Sequence, residues 1–423
     1  MDALRKVVVT GMGTVNPLGA GVEASWDRLL SGRSGVRRLT AAWSADLGVG
    51  VAGIIPDLTD DPEDGWDASR IASAKDQRKM DRFIPLALDA AEQALSQAKW
   101  MGTDRSLERC ATVIASGIGG FGAIAEAVRT TDARGARRLS PFTVPSFLIN
   151  LAAGHVSIRH GLKGPIGAPV TACAAGVQAI GDAWRLIRTG EADAAVCGGS
   201  EAALHPVSLG AFASAKTLST AYADHPECAS RPFDRDRDGF VMSEGAAIVV
   251  LEALDHALAR GAQPLAEVLG YGTSADAFHI TSGPQDGHGA RRSMALAVES
   301  ARLHPDEIDL LCAHATSTPV GDLGELAAIK SLFGVMRGPA ITATKSATGH
   351  LLGAAGSLAA TFAVLALRDQ VAPATINLLN PDPMANGLDL VVGAPRSMSI
   401  RHVLVNGFGF GGVNATLVLR RWD

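Results

Sequence analysis

Short apolar runs rich in valine, isoleucine and alanine alternate along the whole chain with longer segments of helical periodicity. The helical segments include residues 83–98, 177–188 and 358–368, where apolar positions recur at helical spacing. Buried strands that alternate with helices are typical of α/β proteins. The pattern therefore predicts an α/β fold, with strands in the runs KVVVTG, ATVIASG, DAAVCGG, AAIVVLE, IDLLCAHA and HVLVNGFG.

A faint internal repeat predicts that the chain is duplicated. VTGMGT at 9–14 is echoed by VLGYGT at 268–273, and each is followed by an Ala-rich helix and a buried strand. Later in each half, a small-residue turn opens a long apolar helix, and a strand followed by glycines closes the half. We therefore expect two halves, residues 1–262 and 263–423. Equivalent turns would place Cys173 and His350 at corresponding helix starts, where pseudo-twofold packing would bring them together.

Composition and charge narrow the classes of function. The chain has 423 residues, 47% hydrophobic and 19% charged, which excludes a fully disordered protein. Its net charge of −5 offers no basic field, so we expect neither nucleic acid nor an anionic membrane surface as a partner. The longest apolar stretch, residues 351–367, is shorter than the ~20 residues of a membrane span and contains Gly, Ser and Thr. We expect this stretch to be a buried helix.

The cysteines indicate a reducing environment. The five cysteines are odd in number and include no CxxC pair. This argues against a disulfide framework and against a cysteine-based zinc site. We therefore expect a cytoplasmic protein.

Cys173 is a candidate nucleophile. It lies in TACAAGVQAIGDAWRLI, at the start of a predicted helix whose apolar face includes Val177, Ile180 and Trp184. The helix dipole and the free N–H groups of the first turn favour a thiolate, so we expect a lowered thiol pKa. The strand before it and the small residues after it resemble a nucleophile elbow. A buried, inert cysteine is the alternative.

His314 and His350 are candidate partners of that cysteine. His314 directly follows a predicted buried strand, and His350 comes five residues after Lys345 at another helix start. A helix N-terminus disfavours imidazolium, so we expect His350 to be neutral. Either histidine alone would carry little weight, but with a helix-start cysteine they indicate a Cys–His–His site. No HxxxH or HExxH spacing occurs, so a metal site is not expected.

Several further segments have competing interpretations. Residues 117–122 match GxGxxG after a strand, but the acidic residue expected at the end of the next strand is missing, which favours a tight turn over a nicotinamide dehydrogenase. Residues 234–239 imitate a calcium loop but lack its final glutamate. The glycine-rich segment 406–414 could supply half of an oxyanion hole. A basic cluster is either a solvated face or a docking patch for an acidic partner, and comprises Lys75, Arg78, Lys79 and Arg82.

Together these segments resemble the β-ketoacyl-acyl-carrier-protein synthases, the type II elongating condensing enzymes of the thiolase-like superfamily. The resemblance runs from VVVTGMGTVNPLG to GFGFGGVNATLVL, and TACAAG, HATSTPVGDLGE and TKSATGHLLGAAG occur in the family's order. It implies a thiolase-like α/β fold in which duplicated halves form a five-layer αβαβα core. It also implies a homodimer.

The resemblance implies a role for each matching residue. Cys173 would take the acyl chain as a thioester. His314 and His350 would donate hydrogen bonds through Nε2–H during decarboxylation of a malonyl thioester. The oxyanion hole would be formed by the backbone N–H groups of Cys173 and Phe410. Phe410 would also gate the acyl pocket. Lys345 would be a catalytic residue that, with Glu325, orders the His314 region. The implied substrate-binding residues are Ile118, Phe408, Glu325 and Asp322, with Thr316 and Thr318 on the phosphopantetheine. The implied contacts with the carrier protein are Lys75, Arg78, Lys79 and Lys216.

The implied function is a 3-oxoacyl-[acyl-carrier-protein] synthase that elongates fatty acids by decarboxylative Claisen condensation. Acyl carrier protein would be the partner, with no cofactor beyond its phosphopantetheine and no metal. Two alternatives stay open: a specialised synthase for very long, nodulation-type or polyketide-like chains, and a non-catalytic chain-length partner. Departures from the family pattern bear on chain length, and comprise Ala315, Ala174, Ala175 and the segment 243–245.

Overall fold

The computed structural model describes residues 4–335 and 338–423, and its first half contains eight strands and ten α-helices. The strands are β1 (Val7–Asn16), β2 (Gly19–Ala20), β3 (Val36–Arg38), β4 (Val51–Gly53), β5 (Cys110–Ala115), β6 (Ile166–Gly167), β7 (Ala194–Glu201) and β8 (Gly245–Ala253). The helices are α1 (Val22–Leu30), α2 (Ala74–Gln77), α3 (Phe83–Gln97), α4 (Asp104–Glu108), α5 (Phe121–Arg134), α6 (Thr143–Phe147), α7 (Leu151–His160), α8 (Ala175–Arg188), α9 (Pro206–Ser214) and α10 (Leu254–Ala259).

The described part of the second half contains eight strands and four α-helices. The strands are β9 (Ala266–Ala275), β10 (Leu310–Cys312), β11 (Ala340–Thr342), β12 (Val371–Ala372), β13 (Asp389–Leu390), β14 (Arg396–Ser397), β15 (His402–Gly409) and β16 (Val413–Arg421). The helices are α11 (His288–Ser300), α12 (Pro319–Phe333), α13 (Lys345–Thr348) and α14 (Ala355–Asp369). Helices α3, α8 and α14 cover the three helical segments predicted from the sequence.

The two halves have the same strand order. In the first half the order is β1-β8-β7-β5-β6, and in the second it is β9-β16-β15-β10-β11. The first two pairings of each half are antiparallel and the next two are parallel. A short antiparallel pairing of β1 with β9 joins the halves. The duplication is thus visible in the topology, while the division at residue 262 stays a prediction.

Five layers follow from the packing of the helices on the sheets. Helices α8 and α14 lie between the halves and contact strands of both. Helices α3 and α7 cover the outer face of the first half, whereas α11 and α12 cover that of the second. The segment Leu352–Asp369 is apolar and long enough to span a membrane, but it is a core helix buried in the central layer. The expectation of a buried helix at residues 351–367 is confirmed.

The VTGMGT and VLGYGT segments form β1 and β9, and their glycines explain why they resemble each other. A Cβ at Gly11 would collide with the backbone of α3 at Ala94. A Cβ at Gly270 would collide in the same way with α11 at Ala297. The repeated glycines therefore meet the same packing requirement in both halves: they allow the strand to lie directly against the backbone of its outer helix.

Candidate active site

Two equivalent turns begin the central helices. The turn Ala172–Ala174 leads into α8 and the turn Leu352–Ala354 leads into α14. Each opens on a residue with positive φ, 49° at Ala172 and 46° at Leu352. Cys173 therefore corresponds to Gly353, and the expectation that it corresponds to His350 is wrong. His350 lies ahead of the second turn, where its backbone bridges to Met242.

One cavity of about 430 Å³ brings the three predicted chemical groups together. Cys173 comes from the first half, and His314 and His350 come from the second. Most of the other predicted site residues also line this cavity, namely Ile118, Lys216, Thr316, Thr318, Glu325, Phe408 and Phe410. Both halves of the chain thus contribute to a single site, as the predicted repeat requires.

The two imidazoles lie side by side among aromatic rings. The ring centroids of His314 and His350 are 5.5 Å apart, with planes at 85°. Phe408 lies 5.6 Å from His314, and Phe240 lies 5.4 Å from His350. Neither buried Nδ1 atom has a hydrogen-bond partner among the residues that the structure describes. A buried N–H without an acceptor costs more than a bare lone pair, so the Nε2–H tautomer is favoured on both rings.

Both imidazoles are neutral. Burial holds the pKa of His314 and of His350 well below the usual histidine value, and the positive charge of Lys345 acts in the same direction. The expected neutrality of His350 agrees with this, although burial is its largest cause and the helix start is not. A neutral pair can donate hydrogen bonds to a developing anion without first losing a proton.

Cys173 differs from expectation in its ionisation. Burial raises the pKa of its thiol to about 12, although Lys345 and nearby backbone N–H groups oppose the shift. The predicted lowering at the helix start is therefore wrong, because loss of hydration of the thiolate outweighs the helix and lysine together. The resting group is a thiol.

The backbone N–H groups of Cys173 and Phe410 both lower the pKa of the Cys173 thiol, as donors near the sulfur do. Gly409 makes this approach possible: a Cβ there would lie 2.7 Å from the Thr171 carbonyl oxygen and 3.2 Å from the Cys173 nitrogen. Two N–H groups converging from different halves of the chain are the arrangement of an oxyanion hole. The Phe410 ring, next to Phe212 at 6.2 Å, is 37% exposed at the cavity.

A buried carboxylate holds the turn that carries His314. Glu325 accepts hydrogen bonds from the N–H groups of His314 at 2.8 Å and Ala315 at 2.7 Å. The Asn406 side chain donates to the same carboxylate at 2.9 Å. Lys345 is buried and does not line the cavity. Burial lowers the pKa of its ammonium group to about 8, although the negative charge of Glu325 raises it. Lys345 therefore acts on the site through its charge.

Comparison with known proteins agrees with this geometry. The model of the β-ketoacyl synthase N-terminal domain matches residues 4–257, and that of the β-ketoacyl synthase C-terminal domain matches residues 265–379. The chain belongs to the β-ketoacyl synthase family. The predicted family and its thiolase-like five-layer fold are confirmed.

Relatives cover the whole chain. The 3-oxoacyl-[acyl-carrier-protein] synthase 2 of Rhizobium meliloti (strain 1021) is 49% identical over 421 residues, which is 99% of each chain. Among solved structures, the ishigamide ketosynthase/chain length factor is 33% identical with a TM-score of 0.91 and full coverage of both chains. A second solved structure is a type II polyketide acyl-carrier protein in complex with its ketosynthase. Its matching chain is 32% identical with a TM-score of 0.89, and the match covers 99% of this chain and 100% of that chain.

Asp322 is predicted to bind substrate, but it does not line the cavity. It is fully buried behind the wall, where it accepts hydrogen bonds from the N–H groups of Ser317 at 3.2 Å and Phe233 at 2.9 Å. It thereby holds the turn that presents Thr316 and Thr318, whose hydroxyl oxygens are 3.1 Å apart. Asp322 supports the substrate-facing threonines from behind, and the prediction of direct substrate contact is corrected.

The departures from the family pattern fit locally. Ala315 is buried, its φ lies outside the left-handed region, and its methyl packs in the core beside α12. Ala174 and Ala175 are fully buried at the start of α8. In the third departure, the Ser243 hydroxyl donates to the Thr348 carbonyl at 2.7 Å. None of the three changes alters a group that faces the cavity.

The glycine-rich loop at 117–122 is a tight turn around a carboxylate. Glu201 accepts hydrogen bonds from the N–H groups of Gly117 at 2.7 Å and Ile118 at 3.2 Å. A dinucleotide phosphate would need these same N–H groups, so the dehydrogenase alternative is not supported. Sequence reasoning missed Glu201, although an acidic residue ending the apolar run DAAVCGGSE was a signal. Among the described residues, no group of three His, Cys, Asp or Glu side chains could hold a metal.

The predicted docking residues fall in two places. Lys75 and Arg78 are exposed at α2, and Lys79 pairs with Asp76 at 2.7 Å. Arg82 is held by two hydrogen bonds to Glu244, both 2.8 Å long, and is less available to a partner. Of the predicted set, Lys216 lines the cavity. Their role in docking stays a prediction.

Proposed function

We propose that the protein is an elongating 3-oxoacyl-[acyl-carrier-protein] synthase, which condenses a Cys173-bound acyl chain with a malonyl group and releases carbon dioxide. One observation carries the proposal: a nucleophilic sulfur, two neutral imidazoles and two convergent N–H groups meet at one cavity. Full-length similarity to a curated synthase of this name supports the same reaction.

The first step transfers the acyl group. The Cys173 sulfur attacks the thioester carbonyl of the acyl donor, and the carbonyl oxygen becomes an oxyanion. The N–H groups of Cys173 and Phe410 are available to stabilise that charge, and losing one such donor typically slows a reaction by ~10²–10³-fold. The C–S bond to the donor then breaks. The donor leaves as a thiol that takes up the proton lost by Cys173.

The second step uses the histidines. A malonyl thioester binds where its carbonyl oxygen accepts hydrogen bonds from Nε2–H of His314 and His350. These bonds stabilise the enolate that forms as the C–CO₂ bond breaks. The enolate carbon attacks the acyl carbonyl on Cys173, the C–S bond breaks, and the departing sulfur takes up one proton from solvent to restore the thiol. The carboxylate lost as carbon dioxide supplies the driving force, so no redox group is consumed.

The cavity surroundings suit an acyl chain at one end and a polar arm at the other. Cys173 packs with an apolar cluster that includes Ile118, Phe212 and Leu352, which offers a dry site for hydrocarbon. Thr316 and Thr318 place hydroxyl groups on another part of the wall, suited to the amides of phosphopantetheine. The carrier's own arm is thus the only prosthetic group that the proposal requires.

Acyl carrier protein is the proposed partner. A solved relative is described as a ketosynthase in complex with its acyl-carrier protein, which supports a protein-borne substrate. Lys75, Arg78 and Lys79 offer positive charge at α2, and Lys216 offers it at the cavity. Acidic carrier proteins would be attracted to such patches by long-range electrostatics. The five free cysteines support a reducing, cytoplasmic location as part of the proposal.

A homodimer is proposed from the open edge of the sheet at β6. Ile166 lies on β6, Val170 follows that strand, and Ile158 lies on α7, which contacts it. These side chains are 55%, 53% and 79% exposed. Pairing of two β6 edges across a twofold axis would cover these side chains and remove an unpaired edge. Sedimentation velocity should give a dimer for the wild type and a monomer for Ile158→Glu. Leu258→Glu, on the exposed face of α10, is the matched control and should remain dimeric.

The alternatives are less well supported. Identity to the 3-oxoacyl-[acyl-carrier-protein] synthase 2 of Rhizobium meliloti is 49%, against 32% for the ketosynthase of the type II polyketide complex, which disfavours a specialised polyketide-like synthase. A non-catalytic chain-length partner would not need Cys173, His314 and His350 assembled at one cavity.

The test is a condensation assay with an acyl and a malonyl carrier protein, followed by detection of the 3-oxoacyl product. We expect turnover by the wild type, inhibition by iodoacetamide, and a loss of at least ~10³-fold in folded Cys173→Ala. A folded Cys173→Ala variant with wild-type turnover would refute the proposal.

A further inference from the structure

Glu201 is a buried carboxylate with an unusual number of donors. It ends β7, is inaccessible to solvent, and lies in direct contact with the loop that carries Ile118. Its oxygens accept hydrogen bonds from five donors, which are the hydroxyl of Ser116 at 2.8 Å and the N–H groups of Gly117 at 2.7 Å, Ile118 at 3.2 Å, Gly119 at 3.3 Å and Gly353 at 3.0 Å. The last donor belongs to the other half of the chain.

The duplication gives this contact a meaning. Gly353 corresponds to Cys173, so its N–H corresponds to one donor of the oxyanion hole. Glu201 ends β7 as Gly409 ends β15, and the two strands pair with β8 and β16 in the same register. The carboxylate of Glu201 therefore binds, at the Gly353 turn, the N–H group that corresponds to one donor of the hole at Cys173.

Glu201 binds two parts of the site, the Ile118 loop and the turn after His350. Its Oε1 atom holds the N–H groups of Ile118 and Gly119, beside the cavity wall. Its Oε2 atom holds the N–H group of Gly353, in the turn that follows His350. A carboxylate can bind both groups at once, because each oxygen accepts more than one hydrogen bond.

We propose that Glu201 is a positioning residue that ties the Ile118 loop of the acyl cavity to the turn after His350, and so sets both chain-length preference and the reactivity of Cys173. The inference rests on the proposed condensation for its chain-length part. Its reactivity part needs only Cys173. A displacement of about 1 Å at a reacting group can cost ~10²-fold in rate, so a tie of this kind is sufficient to matter.

Charge gives a readout that packing alone would not produce. Glu201 raises the pKa of Cys173 and Lys345 lowers it. The other titratable groups on the cavity wall are Lys216, Asp276, His314, Glu325 and His350. Removing the Glu201 charge should therefore increase the thiolate fraction of Cys173 at a given pH.

The central variant is Glu201→Gln in the full-length protein. A glutamine can keep its oxygen toward Gly117 and Gly353 and direct its NH₂ at the Ser116 hydroxyl. This leaves the Ile118 N–H without its bond, while the Gly119 N–H keeps the Ser116 hydroxyl as an acceptor at 3.1 Å. We expect faster alkylation of Cys173 by iodoacetamide at fixed pH. We also expect a broadened chain-length profile, measured by mass spectrometry of Cys173 after incubation with acyl carrier proteins of graded length. Condensation should fall about tenfold to 10²-fold.

Ser116→Ala is the matched control, because it removes a hydroxyl that donates to Glu201 and accepts from the Gly119 N–H, but keeps the charge of Glu201 and its four N–H contacts. Its alkylation rate should equal that of the wild type. Glu201→Asp keeps the charge but shortens the side chain, so we expect a changed chain-length profile with nearly unchanged alkylation. It also provides a second test if Glu201→Gln does not fold.

Wild-type alkylation and a wild-type chain-length profile in a folded Glu201 variant would overturn the inference. Failure of the wild type itself to condense would instead overturn the proposed function. The alkylation comparison would then still test the link between Glu201 and Cys173.

Discussion

The turn at Cys173 and the turn at Gly353 share a backbone but not a function. Both begin a central helix, and both open on a residue with positive φ. The first presents a sulfur to a cavity of about 430 Å³, whereas a Cβ on Gly353 would collide with the backbone of Gly117. The duplication thus gives two turns with equivalent backbones. The turn at Cys173 opens onto the cavity, whereas the turn at Gly353 is tightly packed and has a structural role.

The support is reciprocal between the halves. The end of β15, in the second half, brings the Phe410 N–H to the Cys173 turn. The end of β7, in the first half, brings the Glu201 carboxylate to the Gly353 turn. Each half thus completes the turn of the other, and the reacting groups sit where the two halves meet.

The largest expected effect is on the rate of malonyl decarboxylation, when either cavity histidine is removed while the turn at Cys173 stays intact. His314→Ala or His350→Ala removes a hydrogen-bond donor to the enolate, and should slow malonyl decarboxylation by ~10²–10³-fold. Acylation of Cys173 should stay detectable, because it uses the N–H groups of the first turn. Separate assays of carbon dioxide release and Cys173 acylation measure the two steps. Equal loss of both steps would contradict this division.

A substitution in the turn at Gly353 should lower the stability of the fold. Gly353→Ala forces a methyl group into the backbone of Gly117, so we expect a loss of about 1–3 kcal/mol in the free energy of unfolding. Gly154→Ala in α7 is the control, since a Cβ there would meet its nearest neighbour at an ordinary 3.6 Å. Denaturant unfolding compares them, and equal stability of both variants would show that the second turn is not tightly packed.

The smallest effect concerns the pH dependence of Cys173. With a thiol pKa of about 12, the rate of alkylation by iodoacetamide should rise about tenfold per pH unit from neutrality. Lys345, with a pKa of about 8, loses its charge above that pH. The pKa of Cys173 then rises further, so the slope should become shallower. A plateau near neutral pH would mean that the thiolate is already formed, and would contradict a resting thiol at Cys173.

The fold and the reacting groups were accessible from the sequence because they depend on local patterns. Alternating strands and helices, the glycines of β1 and β9, and the motifs at Cys173, His314 and His350 all lie in short segments. The register of the duplication was not accessible. It depends on the backbone of Ala172 and Leu352, whose side chains give no hint of a positive φ.

Burial accounts for most of what the sequence could not predict. A helix start alone predicts a lowered thiol pKa at Cys173, but the cavity withholds the water that a thiolate needs. Asp322 looks like a substrate contact until the structure shows it behind the wall, bound to Ser317 and Phe233. Glu201 reaches the N–H of Gly353 from the other half of the chain, a contact that no local pattern encodes.

The most direct test of the condensation mechanism is mass spectrometry of Cys173 after incubation with an acyl-loaded carrier protein, before and after a malonyl-loaded carrier protein is added. We predict one acyl group on Cys173, which disappears on addition of the malonyl carrier as a 3-oxoacyl product two carbons longer is formed. An unmodified Cys173, or an acyl group that the malonyl carrier does not remove, would contradict the mechanism.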